Sequence, residues 1–345
     1  MREPAFWHRR SSWQSRLLAP FGAVYGAIAA RRLAQPGERA AVPVICVGNY
    51  HVGGAGKTPT VLALAALLQS GGERPVVVSR GYGGRLRGPV AVDVGQHGAA
   101  DVGDEPLMMA QRVPVVVARD RAAGARLACA RGASIILLDD GFQNPALTKD
   151  LALIVIDGAR GIGNSCVFPA GPLRAPLAPQ LARTGALVVV GEGVGAEPIV
   201  AEVAERGRPV LRARLVPDPQ SLDAVKGRRC LAFAGIGDPG RFFATLRRHG
   251  VEVAGEAVFA DHHVFTRSEI DALVSRAASE GLTLVTTEKD FVRLKSDAAL
   301  ARAAEAVVAF RVTLMIGDGD DLRAIVAPVL RGLAARSSAT PAAQA

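Results

Sequence analysis

The chain has 345 residues, of which 49% are hydrophobic and 5% aromatic, and its net charge is +9. This length allows two domains with cores of their own, and the composition is typical of an Ala/Val/Leu-rich α/β protein. The four cysteines form no C-x-x-C pair, which argues against a zinc site and a disulfide framework and favours a reducing cytoplasm. The excess of arginine suits an anionic partner, although a GC-rich genome would give the same bias.

The N-terminal segment, 1–35, combines arginines, two tryptophans and an uncharged run. Trp7 and Trp13 lie among the arginines, and the 14 residues of 17–30 carry no charge. A bilayer-spanning helix needs about 20 apolar residues, and Arg31-Arg32 is a poor context for signal cleavage. The pattern therefore predicts an interfacial helix at a membrane surface. A buried N-terminal helix is the alternative.

A glycine-rich loop lies between a short apolar run at 44–48 and a helical pattern at 60–69. It ends in Gly-Lys-Thr, although the first position of the usual P-loop pattern is histidine here. Glycines at a helix N-terminus let backbone N–H groups face phosphate oxygens. Lys57 would reach the β- and γ-phosphates of ATP, and the Thr58 hydroxyl would bind Mg²⁺. A glycine-rich turn that binds no nucleotide is the alternative. The predicted nucleotide-binding residues are Gly53, Gly54, Ala55, Gly56, Lys57, Thr58 and Pro59.

Apolar, β-branched runs alternate with helical stretches through the first part of the chain. Such alternation predicts an α/β fold with a doubly wound, mostly parallel sheet of the P-loop NTPase type over 36–207. The predicted strands are 44–48, 76–79, 114–118, 134–138, 151–156 and 186–190.

A second strand series begins near residue 229 and predicts a smaller α/β domain over 218–305. Two extended segments, 208–217 and 306–314, flank this series, and we expect them to run side by side as a two-stranded tether between the domains. A C-terminal helix is predicted over 315–335. The small, polar tail 336–345 is predicted to be disordered.

Two adjacent carboxylates follow the apolar run at 134–138. Asp139 and Asp140 therefore reach the C-terminal edge of the sheet, where ligands bind in open α/β folds. We expect them to hold Mg²⁺ directly or through water. Capping of a following helix is the alternative, and Gly141 favours a tight functional loop instead.

Two further polar motifs belong to different predicted domains. Asp104 lies in Gly-Asp-Glu-Pro at a predicted helix start, and His262 lies in Asp-His-His after a strand of the smaller domain. A carboxylate and an imidazole that face each other across a cleft make a plausible general-base pair. A helix cap with proline in its first turn and a surface loop are the respective alternatives.

Basic residues follow two of the predicted strands at the same edge of the sheet. Arg80 belongs to Ser-Arg-Gly-Tyr-Gly-Gly, and Arg119 and Arg121 belong to Arg-Asp-Arg. We expect these three arginines to bind anionic groups of the substrate. Solvated charged loops are the alternative.

Taken together, the motifs form a set with a fixed order. The set resembles the tetraacyldisaccharide 4′-kinase family, the lipid A kinases of Gram-negative bacteria, over about residues 10–325. The sequence departs from the family pattern with Ala175 in place of glutamate, with Asn144 in place of histidine, and in lacking an aspartate that the family often has near Gly185. The motifs that carry the resemblance are 47–59, 79–83, 103–106, 139–143, 168–174, 234–243, 261–263 and 286–290.

The resemblance implies ATP-dependent phosphorylation of the 4′-hydroxyl of the tetraacyldisaccharide 1-phosphate precursor of lipid A. It assigns the phosphates and Mg²⁺ to Lys57 and Thr58, and Mg²⁺ also to Asp139 and Asp140. It further implies that Asp104 activates the sugar hydroxyl, with His262 as its partner; these two and Lys57 are the predicted catalytic residues.

The same resemblance implies where the protein works and what it meets. It implies a peripheral or monotopic protein on the cytoplasmic face of the inner membrane, with the lipid A disaccharide precursor and an anionic membrane surface as partners. Neither a nucleic acid nor an obligate protein partner is inferred. A GTPase or metallochaperone-type NTPase is the first rival, although a guanine-reading Asn-Lys-x-Asp motif is not evident in the sequence. A membrane-bound nucleotide sensor without turnover is the second.

Overall fold

The computed structural model describes residues 3–9, 12–317 and 319–338. The N-terminal and kinase-domain elements are α1 (Trp13–Leu33), β1 (Val44–Gly48), α2 (Lys57–Ser70), β2 (Pro75–Ser79), β3 (Val90–Ala91), α3 (Ala99–Val102), α4 (Asp104–Ala110), β4 (Val115–Val117), α5 (Arg121–Ala130), β5 (Ile135–Asp139), β6 (Leu151–Asp157), α6 (Leu177–Leu181), β7 (Ala186–Val190), α7 (Glu197–Glu205) and β8 (Val210–Pro217). The remaining elements are α8 (Pro219–Asp223), β9 (Arg229–Ala234), α9 (Pro239–Arg248), β10 (Glu252–Val258), α10 (Arg267–Glu280), β11 (Thr283–Thr287), α11 (Glu288–Ser296), β12 (Val307–Phe310), β13 (Val312–Ile316) and α12 (Asp320–Ser338).

The large sheet has nine strands in the order β13-β8-β7-β6-β1-β5-β2-β4-β3. Only its two edge pairs, β13 with β8 and β3 with β4, are antiparallel. The interior strands are buried on both faces, which accounts for their continuous apolar runs. The predicted α/β class with a mostly parallel sheet is confirmed. Strand β1 lies between β5 and β6, so the loop that follows it opens at the centre of the sheet edge.

The smaller sheet contains four parallel strands in the order β10-β9-β11-β12. Apolar clusters cover both of its faces, and they include Phe233 on one side and Phe243 on the other. Helix α10 begins with a capping box in which Thr266 and Glu269 each satisfy a backbone N–H of the other. The strands and helices predicted in this region therefore form one small α/β layer structure.

The second segment of the predicted tether, 306–314, is divided between two strands in two different sheets. Segment 306–314 was expected to form one strand, but Val307–Phe310 pairs with β11 of the small sheet and Val312–Ile316 pairs with β8 of the large one. The chain changes sheet at Arg311. Arg311 is the one charged residue in this stretch, and a single arginine between two apolar, half-buried strands does not by itself indicate a change of sheet. At the other end, α12 reaches Ser338, and the rest of the predicted tail lies outside the described residues.

Helix α11 holds the two sheets' domains together. Its Val292 enters an apolar cluster with Val102, Leu107 and Met108 of the kinase domain. Glu288, the first residue of α11, forms an ion pair with Arg112 of the other domain, with 2.5 Å between Oε1 and Nη2. Two more ion pairs cross between the domains on another side, joining Arg160 to Asp238 and Arg241 to Asp157. The cleft between the domains is therefore closed around the start of α4.

Candidate active site

The glycine-rich loop has the backbone geometry that its sequence predicts. Gly53 and Gly56 adopt positive φ values of 110° and 91°, which are strained for residues with a side chain. Gly56 is the residue before α2, so the helix begins at Lys57 with its N-terminus facing the loop. The Asn49 amide ties the loop together by donating to the Gly53 carbonyl over 3.2 Å. A glycine-rich cradle thus lies at a helix N-terminus, which is an arrangement that can receive a phosphate group.

The two adjacent carboxylates lie beside this cradle but face different partners. Asp139 is buried at the end of β5 and accepts a 2.9 Å hydrogen bond from the Ser79 hydroxyl. Asp140 has a φ of 48°, a conformation that non-glycine residues rarely adopt. Its carboxylate lies 3.7 Å from Lys57 Nζ and accepts two hydrogen bonds from Arg174, over 2.7 and 3.1 Å.

The electrostatics of Asp139 fit a divalent cation. Burial, followed by the negative charges of Glu105 and Asp140, raises the pKa of Asp139 to about 7. Together with the Thr58 hydroxyl, these carboxylates offer the hard oxygen donors that Mg²⁺ prefers. The described residues contain no cluster of three or more histidine, cysteine, aspartate or glutamate side chains suited to a metal. A Mg²⁺ ion here would therefore share its coordination with phosphate oxygens and water.

Asp104 and His262 meet across the domain boundary. His262 Nδ1 lies 2.9 Å from Asp104 Oδ2, although the residues are 158 positions apart. Burial alone would raise the pKa of Asp104, but the His262 hydrogen bond and the charges of Arg293 and Lys289 outweigh it and lower the pKa to about 2. His262 has a φ of 57°, so its backbone is strained at this contact.

Two cations of α11 complete this cluster. Arg293 is buried and donates to Asp104 Oδ2 from Nε over 3.0 Å and from Nη2 over 2.9 Å. Lys289 Nζ lies 3.3 Å from Glu105 Oε1, 3.4 Å from His262 Nε2 and 4.0 Å from Asp104 Oδ2. Sequence spacing could not indicate either contact, because the partners belong to separate domains.

The Ser-Arg-Gly-Tyr-Gly-Gly loop after β2 packs against the turn before α4 and reaches His262. Gly103 has a φ of 91°, and a side chain there would lie 2.4 Å from the Tyr82 carbonyl. A side chain at Gly84 would lie 2.6 Å from the Asp101 carbonyl. Glycine is thus required on both sides of this backbone contact. The Tyr82 ring packs edge-on against His262, with the ring centroids 5.6 Å apart.

The three arginines predicted to bind substrate do not share one environment. Arg80 and Arg119 are exposed on the loops after β2 and β4. Arg121 is only 2% exposed, and it donates to the carbonyls of Ala118 and Asp139. The expectation that Arg121 binds substrate is therefore wrong, because its guanidinium supports the end of β5. The arginine that reaches the site instead is Arg174.

Helix α1 combines a packed face with an exposed apolar one. Ser15, Gly22, Gly26 and Leu33 are buried, and Gly22 approaches the backbone around Val167 closely. The opposite face is apolar and exposed. Among the described residues, no helix is both long and apolar enough to cross a membrane. The exposed apolar residues of α1 are Trp13, Leu17, Phe21, Val24, Tyr25 and Ile28.

Comparison with known proteins identifies the family of this chain over nearly its whole length. The family model described as tetraacyldisaccharide-1-P 4′-kinase matches residues 14–331. The chain belongs to the tetraacyldisaccharide 4′-kinase family. It is 65% identical over 327 residues to the tetraacyldisaccharide 4′-kinase of Bradyrhizobium sp. strain BTAi1, covering 95% of each protein. It is also 65% identical to the enzyme of the same name from Nitrobacter winogradskyi, covering 94% of this chain and 97% of that protein.

A solved structure of a tetraacyldisaccharide 4′-kinase family member has the same fold. The crystal structure of LpxK from Aquifex aeolicus in complex with ATP superposes with a TM-score of 0.69 at 29% identity, covering 91% of this chain and 99% of that one. The resemblance read from the motifs is therefore confirmed, and the chain is a kinase.

The two departures from the family motifs have local structural roles in this member. Asn144 Oδ1 accepts a 2.8 Å hydrogen bond from the Ala146 N–H and so closes the turn after β5. Ala175 is fully buried, and its carbonyl accepts a 2.8 Å hydrogen bond from Gln180.

Proposed function

We propose that this kinase transfers the γ-phosphoryl group of ATP to the 4′-hydroxyl of the tetraacyldisaccharide 1-phosphate precursor of lipid A, with Asp104 and His262 at the acceptor hydroxyl. The observation that carries the assignment is the 2.9 Å contact between these two side chains across the domain boundary. The 4′ oxygen forms a bond to the γ-phosphorus, and the bond to the bridging oxygen of ADP breaks. Asp104 accepts the hydroxyl proton.

The donor half of the site is assigned to the phosphate loop and the end of β5. Backbone N–H groups of 53–58 and the Lys57 ammonium bind the β- and γ-phosphates. Mg²⁺ held by Thr58, Asp139 and Asp140 would supply further neutralisation of phosphate charge. Arg174 and Lys57 both contact Asp140 and so fix the carboxylate nearest the transferred group.

The acceptor half is assigned to α4 and the Asp-His-His loop. Asp104 is held as a carboxylate by its neighbours, with a pKa of about 2. Such a weak base orients the hydroxyl and takes its proton late, which suits a loose phosphoryl-transfer transition state. Arg80 and Arg119 are exposed near the strand ends and are assigned to anionic groups of the lipid substrate.

We also infer that the enzyme works as a peripheral protein on the cytoplasmic face of the inner membrane. The exposed apolar face of α1 supports this, because it offers large side chains to a bilayer interface. Arg16, Arg31 and Arg32 are exposed on the same helix and complement an anionic surface.

The direct test is phosphate transfer from labelled ATP to purified disaccharide 1-phosphate lipid in detergent with Mg²⁺. Wild type should label the lipid at its 4′ position. Folded protein that hydrolyses ATP without labelling lipid would favour an NTPase, and folded protein that binds ATP without turnover would favour a sensor. Either outcome would contradict the assignment.

A double-mutant cycle tests the assignment of the acceptor residues. Asp104→Ala and His262→Ala should each lower kcat strongly and leave the KM for ATP nearly unchanged, since neither contacts the phosphate loop. Because residues that act as a unit give non-additive losses, the double variant should be little worse than the poorer single variant. Losses that multiply would show that the two residues act independently.

A further inference from the structure

The Thr-Thr-Glu-Lys-Asp motif at the start of α11 has no role in the chemistry described so far, yet it reaches the acceptor site. Asp290 of this motif is fully buried. It accepts hydrogen bonds from the Gly235 N–H over 3.0 Å, from the Thr287 hydroxyl over 2.7 Å and from Arg293 Nη1 over 2.8 Å. Arg293 is thereby held rigid by its own domain before it meets the kinase domain.

The other edge of the Arg293 guanidinium faces Asp104. Nε and Nη2 both donate to Oδ2, while Nη1 also donates to the His263 carbonyl over 3.2 Å. The guanidinium is therefore a planar fork fixed at both edges, which a lysine could not reproduce. It joins the carboxylate of one domain to the backbone of the other.

Three nitrogen donors now converge on one oxygen of Asp104. Arg293 supplies two, and His262 Nδ1 supplies the third. Among the described residues, none donates a hydrogen bond to Oδ1. The carboxylate is thus oriented with one oxygen occupied and one available, which is the geometry that a hydroxyl acceptor needs.

Asp104 and Lys289 together determine which nitrogen of His262 carries the proton. The Asp104 carboxylate only accepts, so Nδ1 carries the hydrogen and donates it over 2.9 Å. An ammonium group only donates, so at 3.4 Å from Lys289 Nζ the Nε2 atom accepts; Asp261 Oδ1 lies farther from Nε2, at 3.8 Å. Lys289 also contacts Glu105 over 3.3 Å, which anchors it in this position. With both ring nitrogens occupied, the neutral imidazole supports Asp104 rather than competing for the substrate proton.

We propose that Arg293 and Lys289 are positioning residues for phosphoryl transfer: Arg293 fixes Asp104 so that Oδ1 faces the acceptor hydroxyl, and Lys289 fixes the tautomer of His262. This inference rests on the proposed function of Asp104. It assigns the start of α11 as the part of the smaller domain that completes the acceptor site when the domains are closed.

The kinetic test compares Arg293→Gln and Arg293→Lys with wild type. Because misplacement of a reacting group by 1 Å costs about 10²-fold, Arg293→Gln should lower kcat by about that factor, with the KM for ATP unchanged. Arg293→Lys keeps the charge but loses the fork, so its loss should be smaller. Arg276→Gln is the matched control, since Arg276 lies in an exposed ion pair with Glu280 in the same domain.

A pH comparison separates positioning from a merely structural role. Without the Arg293 charge, the pKa of Asp104 rises from its value of about 2 toward or above the ordinary carboxyl range, so the ratio of Arg293→Gln to wild-type kcat/KM should fall as the pH is lowered from about 7 to about 5. The same ratio for Arg293→Lys should stay flat. Thermal melting and ATP binding identify folded variants, and if Arg293→Gln does not fold, Arg293→Lys and Lys289→Met decide the question by their kcat.

Lys289 has a spectroscopic test. Ring ¹⁵N spectra of wild type should show His262 protonated on Nδ1 and unprotonated on Nε2. Lys289→Met should lower kcat, and Lys289→Arg, which retains a donor, should partly restore it. A His262 ring protonated on Nε2 in wild type would overturn the assignment of Lys289.

The variant Asp104→Asn separates a failure of the proposed role of Asp104 from a failure of the positioning role of Arg293. If Asp104→Asn retains activity, the proposed role of Asp104 itself is wrong. If Asp104→Asn is inactive while folded Arg293→Gln stays within about threefold of wild type and its ratio does not change with pH, the positioning role is refuted and the proposed function stands.

Discussion

Polar substitutions on the exposed face of α1 should weaken membrane binding by an amount that the structure sets. Trp13, Leu17, Phe21, Val24 and Ile28 are between 56% and 71% exposed and recur at helical spacing. Full burial of such a side chain contributes about 1.5–3 kcal/mol. Since about two thirds of each is exposed, insertion of Leu17 or Phe21 into a bilayer interface is worth ~1–2 kcal/mol each.

The double variant Leu17→Ser/Phe21→Ser should therefore lose about 2–4 kcal/mol of binding, which corresponds to a partition coefficient about 30- to 1,000-fold lower. The helix should remain in place, because its buried face is unchanged. Sedimentation with anionic vesicles measures the bound fraction. High salt should weaken wild-type binding as well, since Arg16, Arg31 and Arg32 contribute through charge.

The matched control replaces two exposed valines elsewhere on the surface. Val94 and Val194 are 55% and 81% exposed, so Val94→Ser/Val194→Ser removes comparable apolar area away from α1. This control should sediment like wild type. Equal binding of wild type and Leu17→Ser/Phe21→Ser would refute the reasoning and leave α1 as a packing helix only.

Three further predictions concern the active site. Lys57→Ala and Asp139→Ala should each lower kcat by about 10²–10³ without unfolding the protein, because each removes charge stabilisation at the transferred group; activity within a few-fold of wild type in the transfer assay would place the phosphate site elsewhere. Arg174→Ala removes two charge-assisted hydrogen bonds to Asp140, worth about 1.5–3 kcal/mol each, so kcat should fall at least about tenfold, with partial recovery in Arg174→Lys. The pKa of Asp104 is about 2 in the folded protein, below the value of 3.8 for an ordinary aspartate such as the same residue in the unfolded chain. Its carboxylate should therefore stabilise the fold by about 2 kcal/mol above about pH 4, and this stabilisation is lost as the pH falls toward about 2. Urea unfolding should accordingly show the stability gap between wild type and Asp104→Asn shrinking as the pH falls from about 5 to about 3.

Local patterns in the sequence were sufficient for the parallel sheet and the phosphate loop. Strand bounds such as Val44–Gly48 follow from apolar runs, and the helical pattern at 60–69 lies within α2, which begins three residues earlier at Lys57. These features depend on neighbours in sequence, since a strand, a left-handed glycine and a helix N-terminus are all local. The chemistry of the two motifs made Asp104 and His262 a plausible pair, but only the family resemblance assigned their roles, because nothing local relates residues 158 positions apart.

The sequence could not predict which arginines, from distant segments, contact the carboxylates of Asp140 and Asp104. The sequence places Arg121 at the start of a helical stretch and Arg174 in a proline-rich loop, and neither context shows what the guanidinium contacts. Only the folded chain shows that Arg121 supports the backbone of β5 and that Arg174 binds Asp140. Likewise, no spacing rule relates Arg293 to Asp104. Arginine roles depend on tertiary partners, which composition and periodicity do not encode.

One loop connects the proposed membrane surface with the nucleotide site. Gly22 and Gly26 of α1 pack closely against Val167 and Pro176 at the two ends of segment 167–176. The same segment carries Arg174, whose guanidinium binds Asp140 and donates to the His51 carbonyl over 3.0 Å. Close packing joins α1 to segment 167–176, and hydrogen bonds join this segment to His51 and Asp140. The position of α1 relative to the glycine-rich loop is therefore fixed. If α1 lies at the membrane as proposed, segment 167–176 links that surface directly to the Arg174–Asp140 contact of the proposed nucleotide site.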